Sequence, residues 1–421
     1  MKVLWYCNVL LPKAAEAAKI KGEINTAGWI EGFLNQIWSD YKWFFFLGGG
    51  GAFGVICPAD VTGLIKAEAE DIAFYIVSRK SQIEQFKKIL DDFMCDVLHI
   101  FGTESPNSYD LIKLFGKPER TVINIQGMMG ICSQVYMEGM SLRSQTKERL
   151  FEKVIGNSLE SQKRSLAMRG KTEKMILENV RNVIGRTDID RMMALTQNPE
   201  IRYFHCNEIL RDIFYHSRTW RLDMVETHSL FFRNTGNPIK GLPGMLKALS
   251  ILLKKYPDTK LYVVGPAIYS PACMKQKVVE GTFNRECREI MDQNSLWAHI
   301  EFMNSLDSGQ MKERYLRSHA VVSASNIENE SNVVSEAKIL GVPVVASFVG
   351  GLPNRIKHGY DGFLYQFNLP QMLAYYISVI FDNPDIANRI SKNAVESQRI
   401  INNPDTNIRR LEEIYQIIFK Q

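Results

Sequence analysis

The chain has 421 residues, 45% of them hydrophobic and 23% charged, with no low-complexity tract and no internal repeat. That composition excludes disordered, collagenous and coiled-coil classes. The length favours two domains, and a net charge of +5 without aromatic stacking motifs argues against nucleic acid as a partner.

The opening stretch, MKVLWYCNVLLPKAAEAA, has the outline of a secretory signal, with Lys2, an apolar run from Val3 to Leu11 and small residues after it. The run is short, and it reads instead as the buried first strand of a parallel sheet. WFFFLGGGGAFGVIC, 43–57, is too short and too glycine-rich to cross a bilayer, which needs about 20 apolar residues. It reads as a strand running into a loop, since GGGG at 48–51 lacks the GxGxxG spacing of a nucleotide loop. Further strands are predicted at IAFYIV, VLHIF, TVINI, NVIGR and IRYFHC in the first half, and at HSLFFRN, KLYVVG, IEFMN, AVVSAS and VPVVAS in the second. Amphipathic stretches separate them, which is the βαβ pattern of parallel sheets covered by helices.

Between Ser141 and Arg181 ten Lys/Arg face five Glu, an excess equal to the net charge of the whole chain. The segment is helical in pattern and reads either as a solvated face or as a surface for anionic lipid heads or a phosphorylated acceptor. Asp188-Ile189-Asp190 has the form of a paired-aspartate metal motif, but it reads as acids at a helix start. The polar and aromatic segment between IRYFHC and HSLFFRN interrupts the strand rhythm, placing a domain boundary near residue 220.

In the second half, Arg233 and Lys240 follow the first strand, in FFRNTGNPIKG. SNIENESNVVSEAKILGVPVVAS, 325–347, carries Glu328, Glu330 and Glu336 around a helix that Ser331 or Asn332 can cap and that Gly341 and Pro343 stop. The same helix start can instead present its unpaired N–H groups to a phosphate. Seven scattered cysteines without a CxxC pair suggest reduced thiols in a cytoplasmic protein, and seven histidines without HxH or HExxH spacing give a zinc site little support.

In order along the chain, Ala27-Gly28, DVLHIFGTE at 96–104, IKG at 239–241, YVVGP at 262–266, Glu328-x7-Glu336 and GGLPNRIKHGYDGFLY at 350–365 form a pattern that resembles the retaining, GT-B-fold glycosyltransferases of family 4. The resemblance implies an α/β architecture of two Rossmann-like doubly wound domains facing across a cleft. The implied domains are an acceptor-binding domain at 1–220, a nucleotide-sugar-binding domain at 221–385, and C-terminal helices at 386–421 packing back toward the first. It also implies that Glu336 holds the nucleotide ribose, that Glu328 lies near the donor sugar, and that Arg233 and Lys240 hold the diphosphate. Ser331, Asn332, Val333, Gly265, Met303 and Gly28 complete the implied donor site, with Gln126, Glu104 and Arg186 as candidate acceptor or sugar contacts. Glu330 is expected to turn away from the site, so that its alanine variant behaves as the natural chain does.

Three positions depart from the family pattern: Gln126 stands where a histidine is usual, Ala27 where a glycine is usual, and Asn354 where a glutamate is common. The spacing from Arg233 to Lys240 is also longer than usual. The expected function is transfer of a sugar from a nucleoside diphosphate sugar, UDP favoured over GDP, to a glycan or lipid-linked acceptor in cell-surface polysaccharide biosynthesis. No metal or other cofactor is expected. The expected location is the cytoplasm, with peripheral contact at the anionic inner face of the cell membrane. The alternatives are an epimerase or small-acceptor transferase on the same fold, or a non-catalytic nucleotide-sugar-binding partner.

Overall fold

The computed structural model describes residues 1–20, 30, 32–35, 51–69, 71–80, 82–147, 150–269 and 279–420. Gly28 and the expected strand WFFFL lie outside them. The chain forms two compact units, one built from Met1–Gly130, Met168–Arg211 and Asn402–Gln421, the other from Ile131–Ala167 and Asp212–Ile401. It therefore changes unit four times, where the sequence reading drew one boundary near 220 and set 386–421 apart.

The first unit holds strands β1 (Lys2–Cys7), β2 (Ala52–Ala59), β3 (Ile65–Ala69), β4 (Ile72–Ser78), β5 (Val97–Phe101), β6 (Thr121–Asn124), β7 (Asn182–Gly185) and β8 (Arg202–His205). They form one sheet in the order β3-β4-β2-β1-β5-β6-β7-β8, parallel except for β3 against β4. β1 and β5 are buried on both faces, as the interior of a helix-covered parallel sheet requires. β2 falls where the sequence reading has a strand run into a loop, and it carries Gly54 and Pro58, both uncommon inside strands. The structure gives each a reason. A Cβ at Gly54 would sit 2.9 Å from the Phe93 ring and 3.0 Å from Leu4, and Pro58 lies past the last β1 residue in register, Tyr6 opposite Ile56.

The last helix, Pro404–Phe419, belongs to this unit. The Trp5 indole N–H donates to the Tyr415 hydroxyl at 2.8 Å, and that hydroxyl lies 2.6 Å from His99 Nδ1, all inside the core. The helix is thus tied to β1 and β5 by a buried polar chain as well as by Leu411, Ile414 and Ile418.

The second unit holds β9 (Glu226–Arg233), β10 (Lys260–Val264), β11 (Ile300–Met303), β12 (Ser318–Ser323), β13 (Val344–Ser347) and β14 (Phe363–Tyr365), all parallel in the order β11-β10-β9-β12-β13-β14. The order runs outward in opposite senses from β9 and β12, which makes the gap between their carboxyl ends the topological switch point. Segment 131–167 joins this unit through long-range polar contacts. Asn326 Nδ2 donates to the carbonyls of Val135 and Glu138 at 3.2 and 2.7 Å. Glu286 accepts from Ser141 N at 2.8 Å. The Glu152 carboxylate accepts from Thr282 N at 2.9 Å, meeting the positive end of the helix Thr282–Gln293. The basic stretch forms helices Leu142–Thr146, Leu150–Val154 and Leu159–Glu178.

Removing the Tyr415 hydroxyl leaves the Trp5 N–H without its acceptor, so Tyr415→Phe should lower the stability of the first unit by about 1–3 kcal/mol in urea unfolding. Burial holds His99 down at about 3 and His319, in the second unit, at about 4, against an ordinary 6.5. A base whose folded value is depressed takes up fewer protons in the native state. Both units should therefore lose stability as pH falls from 6.5 toward 4, and the His99→Gln and His319→Gln variants should lose less over that range.

Candidate functional site

The loops that leave the carboxyl ends of β9 and β12 are locked to each other. Asn326 N donates to the Ile239 carbonyl at 2.7 Å. Gly241, at φ 73°, brings its backbone so close that a Cβ would fall 1.9 Å from the Ala324 carbonyl. Only glycine meets both the positive φ and the contact. The loop after β9 is also held to that after β10, where Asn234 Nδ2 donates to the Pro266 carbonyl at 3.0 Å. Gly350, at φ 53°, approaches the Glu328 carbonyl in the same way, and Gly351 N donates to that carbonyl at 2.9 Å.

This clamp sets Lys240 against Glu328. The Lys240 ammonium lies 2.9 Å from both oxygens of Glu328, with side chains 28% and 11% exposed. Arg233 ends β9 and is exposed. Past Glu328 begins the helix Asn332–Ile339, whose N-cap Ser331 makes no side-chain capping hydrogen bond, so the expected cap is not formed. Ser331 is buried, Val333 half-buried and Asn332 exposed. One turn along, Glu336 is buried and its Oε2 accepts from the Tyr315 hydroxyl at 3.1 Å. Gly265 and Met303 end up adjacent beyond β10 and β11, with Gly265 N donating to the Met303 carbonyl at 3.0 Å. The arrangement offers two cations, a helix N-terminus and two carboxylates at one sheet edge, a set suited to an anion joined to a polyhydroxyl group.

Glu330 is not the silent position that the sequence reading expects. Its side chain is 1% exposed and pairs with Arg355, itself 3% exposed, at 3.3 Å. A second buried pair anchors the far end of the helix: Lys338 Nζ donates to Asp361 Oδ2 at 2.9 Å and to the Arg355 carbonyl. Asp361 also accepts from Lys357 N and the Ser397 hydroxyl, each at 2.8 Å. Burial pulls the Lys338 ammonium below its ordinary value, and Asp361 opposes that shift. Sequence reasoning missed Tyr315, Arg355, Lys338 and Asp361. Their one visible signal was charge placed within apolar runs, as in AKIL and YDGFLY.

In the first unit Glu104 follows β5, and its Oε1 accepts from Asn8 Nδ2 at 3.0 Å. Nearby Glu173, which sequence reasoning did not single out, accepts from the Thr103 hydroxyl at 3.0 Å and from Gly130 N at 3.2 Å. Burial pushes both carboxyls up, and Glu104 adds to the shift on Glu173. Gln126 follows β6 and donates to Asn124 Oδ1 at 2.9 Å. Arg186 is buried, paired with Glu208, and donates to the Ile125 carbonyl at 2.7 Å, a structural placement. Asp190 is fully buried at the start of the helix Asp188–Gln197, with Oδ2 accepting from Arg186 N at 2.8 Å.

Residues 226–397 match the family described as Glycosyl transferases group 1. A D-inositol 3-phosphate glycosyltransferase from Streptomyces scabiei is 26% identical over 153 residues, 36% of this chain and 33% of the relative. The chain thus spans about a third of the length of the curated relatives of this kind. Among solved structures, sucrose-phosphate synthase from Thermosynechococcus elongatus aligns at a TM-score of 0.65 and 15% identity, over 100% of this chain and 99% of its own. HepE from Anabaena, solved in complex with UDP and glucose, aligns at 0.65 and 14%, over 99% of each chain. Two parallel-sheet α/β units of this kind are the GT-B fold of those structures, and the family match lies within the second.

The two glutamates flanking Asn329 should separate in stability measurements. Glu330→Ala removes the carboxylate paired with the buried Arg355 guanidinium and should cost about 3–5 kcal/mol in urea unfolding of the second unit. Glu328→Gln, in a half-buried pair where the amide oxygen still accepts from Lys240, should cost less, about 1 kcal/mol.

Proposed function

We propose that the chain is a retaining glycosyltransferase of family 4. It takes a sugar from a nucleoside diphosphate sugar, UDP in preference to GDP, and places it on a glycan or lipid-linked acceptor in cell-surface polysaccharide biosynthesis. One grouping carries this reading: Lys240, Glu328, the helix start at Ser331 and Glu336 gather at the switch-point edge of a group 1 domain. The likeness to HepE supports the choice of UDP.

Breaking the bond between the sugar and the diphosphate leaves added negative charge on the departing phosphate. Lys240, Arg233 and the first-turn N–H groups of Asn332–Ile339 would offset it without a metal. In the ligand-free chain Glu328 already neutralises Lys240, so the diphosphate takes the ammonium over. That transfer frees Glu328 to accept hydrogen bonds from the sugar. Glu336 accepts from the ribose hydroxyls, held in orientation by Tyr315, while Gly265 and Met303 border the base. The acceptor oxygen attacks the anomeric carbon on the face the phosphate leaves, and the phosphate takes the acceptor's proton. Gln126 and Glu104 are the proposed acceptor contacts, whereas Arg186 is taken up by Glu208 and the Ile125 carbonyl.

Among the described residues no helix is long and apolar enough to cross a membrane. The basic helices expose Leu142 (80%) and Val154 (84%) beside Lys153. That mixture suits peripheral contact with anionic lipid at the inner face of the cell membrane.

Transfer of radiolabel from UDP-sugars to lipid-linked glycan should continue in EDTA, and Lys240→Gln should slow it on the order of a hundredfold. Donor hydrolysis or epimerisation without transfer would point to one of the alternative enzymes, and loss on chelation with rescue by manganese would contradict the metal-free mechanism. Replacing Lys163, Arg164, Arg169 and Lys171 by glutamine should weaken sedimentation with phosphatidylserine vesicles in a salt-dependent way, by about 1 kcal/mol per charge. Unchanged sedimentation would leave this a solvated face.

A further inference from the structure

A cavity of about 330 Å³ opens in the second unit away from the helix Asn332–Ile339. Its walls come from the starts of the helices Leu242–Leu252 and Pro370–Asp382, from the end of β14 and from Glu138 and Gly139. These two helices pack against each other, while Asn332–Ile339 packs against Pro384–Ile401, so the cavity and the uncapped helix start belong to different helix layers. Gly241 and Asn326 line the cavity, and each neighbours the Lys240–Glu328 pair along the chain.

The polar groups here are built in but unused. Tyr365 is 3% exposed and lines the cavity. Asn326 is also 3% exposed. Its amide nitrogen is bound to two carbonyls, but its Oδ1 is buried with no partner among the described residues. Such groups cost free energy unless something meets them, and a cavity of this volume admits a small ligand or water. Lys247 makes no ion pair among the described residues, and Glu138 lines the same space, so the lining residues carry no net charge. Phe367 adds an aromatic side chain.

We propose that this cavity is a binding site for an uncharged saccharide unit. Planar side chains such as Glu138 and Asn326 accept from vicinal hydroxyls, the Tyr365 hydroxyl and the Lys247 ammonium donate to sugar oxygens, and Phe367 offers its ring to the C–H face of a pyranose. An anionic ligand would meet Glu138, and a wholly apolar one would leave Asn326 unsatisfied. The site needs neither the nucleotide nor the transfer reaction, and its position beside Gly241 gives a bound glycan contact with the loop that carries Lys240.

Gly244 supplies the test, because a Cβ built there meets no atom within 4 Å and its backbone is not in the left-handed region. A large side chain at that position can therefore occupy the cavity without displacing the fold. Glucose, galactose, mannose and N-acetylglucosamine would each be titrated by saturation-transfer NMR, with and without saturating UDP. At least one sugar should bind in the presence of UDP, keep its affinity in Gly244→Ala, lose its signal in Gly244→Phe and bind about tenfold more weakly in Tyr365→Phe. UDP affinity, unchanged in all three variants, reports that they are folded. Absence of binding by all four sugars, full displacement by UDP, or an undiminished signal in Gly244→Phe would overturn the proposal. Sugar binding retained where UDP fails to bind would count against the donor reading alone.

Discussion

The ion pair between Lys240 and Glu328 concentrates the constraints on the second unit. It exists because the loop after β12 is gripped from two sides: the Gly241 backbone, from the loop after β9, presses against Ala324, and the Gly350 backbone, beyond β13, presses against Glu328 itself. The pair is open enough to exchange partners and buried enough to hold one geometry beforehand, which is what an anion-binding lysine needs. Around it, the fully buried charges do different work. Glu330 with Arg355 fixes the loop before the helix, and Lys338 with Asp361 fixes the helix itself. The helix start is thereby held in place by pairs that no ligand is required to complete.

The sheet architecture was largely legible because strands buried on both faces show as apolar runs, and β1, β5, β12 and β13 have that form. The strands missed are those whose residues obey a different constraint. β2 carries a glycine and a proline for reasons that lie in Phe93, Leu4 and the end of β1. β3 is an edge strand with alternating exposure, and β14 has three residues. A single boundary near 220 leaves segment 131–167 in the first unit. Its attachment to the second depends on Asn326, Glu286 and Thr282, contacts more than a hundred residues away in sequence.

At the candidate site the sequence pointed to residues but not to their partners. Lys240, Glu328 and the helix start come together as one edge, whereas Arg186, placed by analogy beside a substrate, lies inside the first unit on Glu208. Glu330 shows why. In a loop, two positions of separation say nothing about which way a side chain points, and the partner that decides it, Arg355, lies 25 positions on.

The central claim is that the helix Asn332–Ile339 and its Glu336 bind a nucleoside diphosphate through ribose as well as phosphate. Calorimetric titration of the Glu336→Ala variant with UDP, beside the natural chain, tests it most directly. The account predicts affinity weaker by about 1.5–3 kcal/mol, more than a tenfold rise in Kd, with the unfolding transition of the second unit still present. An unchanged Kd in a folded variant would contradict it and return Glu336 to a purely structural role with Tyr315.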